Sequence, residues 1–180
     1  MNQNLKTTLQ SHGALRPEAW LDIQQNMQTI SLGSGDSLPR TEGSFSFLAE
    51  GVLKEYDPEQ RSRPAIINFL AQGQCFTTRR HNQRQYFKAI QPSTINQWNR
   101  DALNQLHQSY PELKNSYDAL CSSYDQTIAQ RAIFLELPPR HRLPAFREPN
   151  RPIIAYLKKK DIANYLNLSY SYLLHIWNDS

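Results

Sequence analysis

The stretch from Lys160 to Ile176 constrains the fold of this chain more tightly than any other. It reads Lys160-Asp161-Ile162-Ala163-Asn164-Tyr165-Leu166-Asn167-Leu168-Ser169-Tyr170-Ser171-Tyr172-Leu173-Leu174-His175-Ile176. Two short helices can cross closely only where the contact residue is small and its neighbours are apolar. Ala163, with Ile162 and Leu166 beside it, meets that condition. Asn167 stands where the turn needs a left-handed residue, a conformation Asn tolerates second only to Gly. Leu168 closes the turn, Ser169 can cap the second helix through its hydroxyl, and Leu173 and Ile176 return to the shared core at i, i+3 spacing. The second helix is then expected to expose Tyr170, Ser171, Leu174 and His175. The pattern fits a helix-turn-helix, whose second helix enters the major groove in DNA-binding proteins. It also fits an ordinary helical hairpin packed in a domain core.

Charge separates the two readings. Residues 140–180 hold seven basic side chains (Arg140, Arg142, Arg147, Arg151, Lys158, Lys159, Lys160) against Glu148, Asp161 and Asp179. The first 139 residues carry thirteen of each sign, so the net charge of +4 lies in the segment with the hairpin. That distribution is expected if phosphates are met there. Lys158, Lys159 and Lys160 lead into the first helix, where they could touch a DNA backbone, although three lysines in a row also make a common solvated loop. The candidate DNA-contacting residues are therefore Lys158, Lys159, Lys160, Ser169, Tyr170, Ser171, Tyr172 and His175.

Ahead of the hairpin the texture changes three times. Leu15, Ala19, Trp20, Ile23, Met27 and Ile30 have helical spacing, with Pro17 suited to a first turn, which predicts an opening helix over about 15–30. Between Ser31 and Trp98, short apolar segments at 45–48, 52–56, 65–70, 85–90 and 93–98 alternate with Gly and Pro punctuation. Five such strands argue for an antiparallel sandwich or barrel. From Pro111 to Leu137 the apolar residues Leu113, Tyr117, Leu120, Tyr124 and Ile128 draw one stripe along a long helix. The stripe needs a partner: its own barrel, or the same helix of a second subunit. Pro138-Pro139 stops the helix and marks a hinge.

Composition excludes several classes. With 180 residues, 39% of them hydrophobic, the chain can bury one good core plus a small second domain. It has no run of eighteen apolar residues and no apolar core near Met1, so a cytoplasmic protein without a membrane span is expected. Cys75 and Cys121 form no C-x-x-C pair, and His12, His81, His107, His141 and His175 do not cluster at ligand spacing. No metal, cofactor or catalytic residue is expected. A barrel enzyme of the cupin type would need histidines on its strands, and the strand segments have none.

The order of elements resembles the Crp/Fnr superfamily of transcription regulators. Four local matches carry the resemblance. Glu50-Gly51-Val52-Leu53-Lys54-Glu55-Tyr56 resembles the family's glycine-bearing strand pair, and Ile66-Ile67-Asn68-Phe69-Leu70-Ala71-Gln72-Gly73-Gln74-Cys75-Phe76 the strand and Gly turn that open its ligand pocket. Ala89-Ile90-Gln91-Pro92 resembles the turn that closes the pocket, and Asp161-Ile162-Ala163-Asn164-Tyr165-Leu166-Asn167-Leu168-Ser169 the signature of a Bacteroidetes-like subgroup. The resemblance implies an α+β fold in three parts. An N-terminal antiparallel β-roll, the cyclic-nucleotide-binding-like jelly roll, would span 1–110 as sensor. A long dimerisation helix would follow at 111–137, and a helix-turn-helix domain at 138–180. It implies a homodimer that binds DNA and an unknown small-molecule effector.

Both functional sites depart from the family pattern. Members that bind cyclic AMP follow the Gly turn with a second Gly and a Glu, where this chain has Thr77 and Thr78. They then use an Arg with small neighbours to hold the cyclic phosphate, where this chain has Gln83-Arg84-Gln85-Tyr86. Cyclic AMP is therefore not the expected effector. Gly73, Thr77, Thr78, Arg79 and Arg84 remain ligand-pocket candidates, and Arg79, Arg80, His81 and Arg84 could hold another anion or form an exposed basic loop. In the recognition helix, Ser171 and His175 stand where the family carries a Glu and a guanine-reading Arg. Two readings stay open: a regulator whose hinge near 137–140 changes the spacing of paired recognition helices, and a degenerate sensor of the same fold that acts through protein contacts.

Overall fold

In the computed structural model, which describes residues 3–59 and 61–178, two helices lead into the strands: α1 (Gln3–Ser11) and α2 (Pro17–Gln25). Pro17 occupies the first turn of α2, where its missing N–H costs nothing. The expected helix over 15–30 ends early. The backbone N–H and side-chain amide of Asn26 both turn back to the Asp22 carbonyl, at 3.0 and 2.9 Å, and close α2. Ile30, whose spacing matches the helix by coincidence, lies instead on a strand, β1 (Gln28–Leu32), opposite Ile95.

The strands that follow are β2 (Ser37–Pro39), β3 (Phe45–Glu50), β4 (Val52–Asp57), β5 (Ala65–Ala71), β6 (Cys75–Thr77), β7 (Tyr86–Ala89) and β8 (Ser93–Trp98). They build two four-stranded antiparallel sheets, in the orders β1-β8-β3-β6 and β2-β7-β4-β5. Leu48, Phe76 and Ile95 from the first meet Leu53, Leu70 and Phe87 from the second in a buried core. The β3–β4 turn requires Gly51: its φ is 97°, and a Cβ there would stand 2.7 Å from the Pro92 carbonyl. Sequence spacing anticipated five of these strands and missed β1, β2 and β6.

A further unanticipated helix, α3 (Arg100–Ser109), starts where the Asn99 carboxamide accepts the Ala102 N–H at 2.9 Å. The long helix α4 (Leu113–Glu136) follows. Leu113, Leu120 and Tyr124 of its stripe are buried, and Tyr117 and Ile128 pack beside them, so the stripe lies against the chain's own sandwich. Lys114, Asp118, Ser122 and Asp125 face outward.

After Pro138 come α5 (Pro139–Arg147), α6 (Lys159–Tyr165) and α7 (Tyr170–Asn178). These helices do not stand apart from the strands. Val52, Ile66 and Phe69 of β4 and β5 share one buried cluster with Phe134 of α4 and with Phe146, Ile162, Tyr165 and Leu173 of the C-terminal helices. The proline pair expected to mark a hinge is stapled: the Arg142 guanidinium donates to the carbonyls of Leu135 and Leu137, each at 2.9 Å, and of Leu166 at 3.1 Å. The break in α4 is set by proline chemistry, and the buried cluster and the Arg142 bonds span it.

Candidate functional site

The turn between α6 and α7 has the geometry its residues predict. Asn167 adopts φ 53°, and the Leu168 N–H donates to the Ala163 carbonyl at 2.9 Å. Ser169 Oγ accepts the Tyr172 N–H at 3.1 Å and caps α7. Ile162, Ala163, Leu166 and Leu173 are buried where the helices cross. Ser169, Tyr170, Ser171 and His175 are exposed on the outer side, with Tyr172 half-buried next to them. Leu174 departs from expectation: it is half-buried, less open than its exposed neighbours Ser171 and His175.

Basic side chains gather around this helix. Lys158 and Lys160 are exposed at the start of α6, and the Lys160 ammonium lies 5.5 Å from the Tyr170 ring. Lys159 and Arg147 both approach the Trp177 ring, at 4.8 and 4.5 Å. These cation–π contacts hold the positive charge beside the outward face of α7 without neutralising it. Arg147, which the sequence marks only as one of seven basic residues, joins this surface through the half-buried Trp177 ring one turn beyond Leu173.

The ligand-pocket candidates do not converge. Gly73 turns the chain between β5 and β6 with φ 88°. Thr77 and Thr78 are buried, and their chain pairs with Ser44: the Thr78 N–H donates to the Ser44 carbonyl at 2.9 Å. Arg79 points outward and donates to both Asp125 carboxylate oxygens at 2.9 Å, and exposed Arg84 pairs with Glu59 at 2.5 Å.

The space those residues flank is filled by the chain itself. Arg40, just after β2, sends its guanidinium inside, where it is ion-paired with Glu55 of β4, and both side chains are wholly buried. Arg40 also donates to the Thr77 carbonyl at 2.8 Å, to Thr78 Oγ1 at 3.3 Å and to the Tyr124 hydroxyl, and it lies 4.6 Å from the Phe87 ring. Glu55 accepts from the Tyr124 hydroxyl at 2.7 Å and from the Asn68 amide at 3.4 Å. Burial pushes the Glu55 carboxyl above its ordinary range, against the pull of Arg40 and of the Tyr124 hydroxyl. The Tyr124 phenol is pushed up as well, by burial and by Glu55. Arg40 and Glu55 escaped the sequence reading, although Glu55 lies two residues from buried Leu53 on the inward face of β4, and a charge on that face was a visible anomaly.

A polar clamp docks α6 against the open edge of β5. The Ile66 N–H donates to Asn164 Oδ1 at 2.7 Å, and Asn164 Nδ2 donates to the Pro64 carbonyl at 3.1 Å. Lys54 pairs with Asp161 at 2.7 Å. Burial works against the Lys54 ammonium, yet the bond to Asp161 holds it above its ordinary range. Arg131 of α4 donates to the Tyr165 carbonyl at 3.0 Å. Among the described residues no His, Cys, Asp and Glu group could hold a metal ion, and no helix is long and apolar enough to cross a membrane.

No protein-family model matches the chain, and no curated protein matches it in sequence. Solved structures do match. A cyclic nucleotide-binding domain containing protein from Listeria monocytogenes superposes with a TM-score of 0.72 at 10% identity, over 98% of this chain and 90% of that one. FixK2 from Bradyrhizobium japonicum gives 0.70 at 15% identity, over 85% and 83%. A protein from Eubacterium rectale described as a transcriptional regulator of the Crp/Fnr family gives 0.69 at 12% identity, over 91% and 82%. At these identities the matches establish a shared fold.

Proposed function

We propose that this chain is a DNA-binding transcription regulator of the Crp/Fnr type, of the Bacteroidetes-like subgroup, working in the cytoplasm as a homodimer and not responding to cyclic AMP. The observation that carries the reading is the outward face of α7: Tyr170, Ser171 and His175 stand exposed beside Lys158 and Lys160, in the one segment that holds the net positive charge. Such a face suits a helix-turn-helix whose lysines meet phosphates while its second helix meets base edges. The second subunit is supported by Ile133, which is 57% exposed on α4 next to exposed Ala129 and Ala132 and offers an apolar strip for a second copy. Two such copies would set the recognition helices about 34 Å apart on a palindromic site.

The buried Arg40–Glu55 pair argues against a cyclic nucleotide in the sandwich. A cyclic phosphate would have to displace a carboxylate already bonded to the guanidinium, and leave that carboxylate buried without a counter-charge. Fluorescence anisotropy with random-sequence duplex DNA tests the regulator reading. Binding at low salt that weakens steeply as salt rises, and that drops when Lys158, Lys159 and Lys160 are changed together to Ala, is the expected result. No binding at low salt overturns it and leaves the reading in which the fold acts through protein contacts.

A further inference from the structure

A cleft of about 250 Å³ lies where the sandwich, α4 and the C-terminal helices meet. Its walls come from all three: Asn68 and Gln74 from the β5 region, Ser123, Gln126, Gln130 and Phe134 from α4, and Asn150 and Tyr165 from the C-terminal helices. Among the described residues no Asp, Glu, Lys or Arg lines it. Asn68 spends its amide on Glu55 and Thr127, Gln74 spends its oxygen on the Ala71 N–H, and Asn150 spends its amide on the Phe146 carbonyl. Among the described residues the other half of each carboxamide has no hydrogen-bond partner. Ser123, Gln126 and Gln130 make no side-chain hydrogen bond to any described residue, and all three are exposed. Gln126 and Gln130 are four residues apart, so their amides stand on one side of α4.

We propose that this cleft binds an uncharged ring compound bearing several hydroxyl or amide groups, of monosaccharide or nucleoside class, and that its occupancy biases how the C-terminal helices sit on the sandwich. The chemistry follows from the walls. Carboxamides and the Ser123 hydroxyl supply donors and acceptors in both senses for hydroxyl or amide groups, while Phe69, Phe134 and Tyr165, packed against one another and almost wholly buried, form a closed floor beneath them. Among the described residues no charged side chain lines the cleft, so a charged ligand gains no ion pair there and a neutral one is favoured. The volume lies just below the range of drug-sized ligand sites and suits one small compound. Because the walls belong to three elements, a ligand that spans them binds one arrangement more tightly than any other, and that difference alone shifts a population.

The binding half of this proposal stands on the cleft, while the regulatory half rests on the DNA-binding reading. The test is a heteronuclear NMR titration of the full chain with D-glucose, D-ribose and adenosine, and with glucose 6-phosphate as the charged control. At millimolar concentration, one of the uncharged probes is expected to shift the side-chain amide signals of Gln126, Gln130 and Asn150, and glucose 6-phosphate is not. A sugar response or an adenosine response tells the two sources apart. Gln126→Leu with Gln130→Leu should weaken that binding roughly tenfold or more. The thermal midpoint should stay unchanged, since neither side chain bonds within the fold. Silence from all three uncharged probes, shifts confined to another surface, or equal binding of the phosphate ester overturns the site. The bound probe is then expected to change affinity for duplex DNA about fivefold or more. Binding that leaves DNA affinity unchanged overturns the regulatory half only, and a chain that never binds DNA overturns the regulator reading without touching the cleft.

Discussion

The interior of the sandwich and the cleft beside α4 share β5 and α4 as walls, yet they handle polar groups in opposite ways. Inside the sandwich, Arg40 and Glu55 are wholly buried and bonded to each other, to Tyr124 and to Thr77. At the cleft, Ser123, Gln126 and Gln130 of the same helix bond to nothing described and remain in contact with water. A buried charge must find its partner within the chain, or the fold loses several kcal/mol. An exposed carboxamide has no such obligation and stays available to a ligand. The contrast separates a place that has been closed by the chain from a place that can still respond.

The largest expected effect breaks the closed side. Glu55→Ala leaves the Arg40 guanidinium buried without its anion and should lower unfolding free energy by about 3–5 kcal/mol in urea denaturation. Replacing both, Arg40→Met with Glu55→Leu, should recover most of that loss, because the desolvation cost leaves with the charges. If the single change costs under ~1 kcal/mol, the interior is not held shut by the pair. Next in size is the clamp that bounds the other side. Asn164→Ala leaves the Ile66 N–H without its acceptor and should cost about 1–3 kcal/mol. Amide exchange should speed up at Ile66 and through α6 while the amides of β3 and β8 keep their protection, which hydrogen exchange read by NMR resolves. Equal loosening everywhere would show that the two regions open as one.

Ser169→Ala removes the cap of α7 and should cost about 1 kcal/mol, with faster exchange at the Tyr172 amide as the signature. The smallest effect comes from His107 on α3, distant from both regions and a baseline for them. Burial lowers its pKa below the ordinary 6.5. Between the folded value and 6.5 the unfolded chain binds more protons than the folded one, so stability should fall as pH drops through that interval. His107→Gln should flatten that slope, as urea titrations at stepped pH would show.

Some of this was written plainly in local spacing. The stripe on α4 repeats at three and four residues, and the turn at Asn167 with its cap at Ser169 needs only neighbours within a few positions. Other elements were silent for physical reasons. β2 and β6 are three residues long, too short to show alternation, and α3 buries only Ala102 and Leu106, too few to draw a stripe. Met27 and Ile30 extended a helical period that Asn26 had already ended. The Arg40–Glu55–Tyr124 group joins residues 15 and 84 positions apart, and no local pattern announces such a meeting. The cleft draws on residues from Asn68 to Tyr165 and exists only once the long helix has been laid down.

Arg142 gives the junction a mechanical character. Its one guanidinium is tied to the last turn of α4 through Leu135 and Leu137 and to the end of α6 through Leu166, one residue before the left-handed Asn167. One side chain is thus shared between the end of the long helix and the turn from which α7 projects, so Arg142→Ala would cut both ties in a single step.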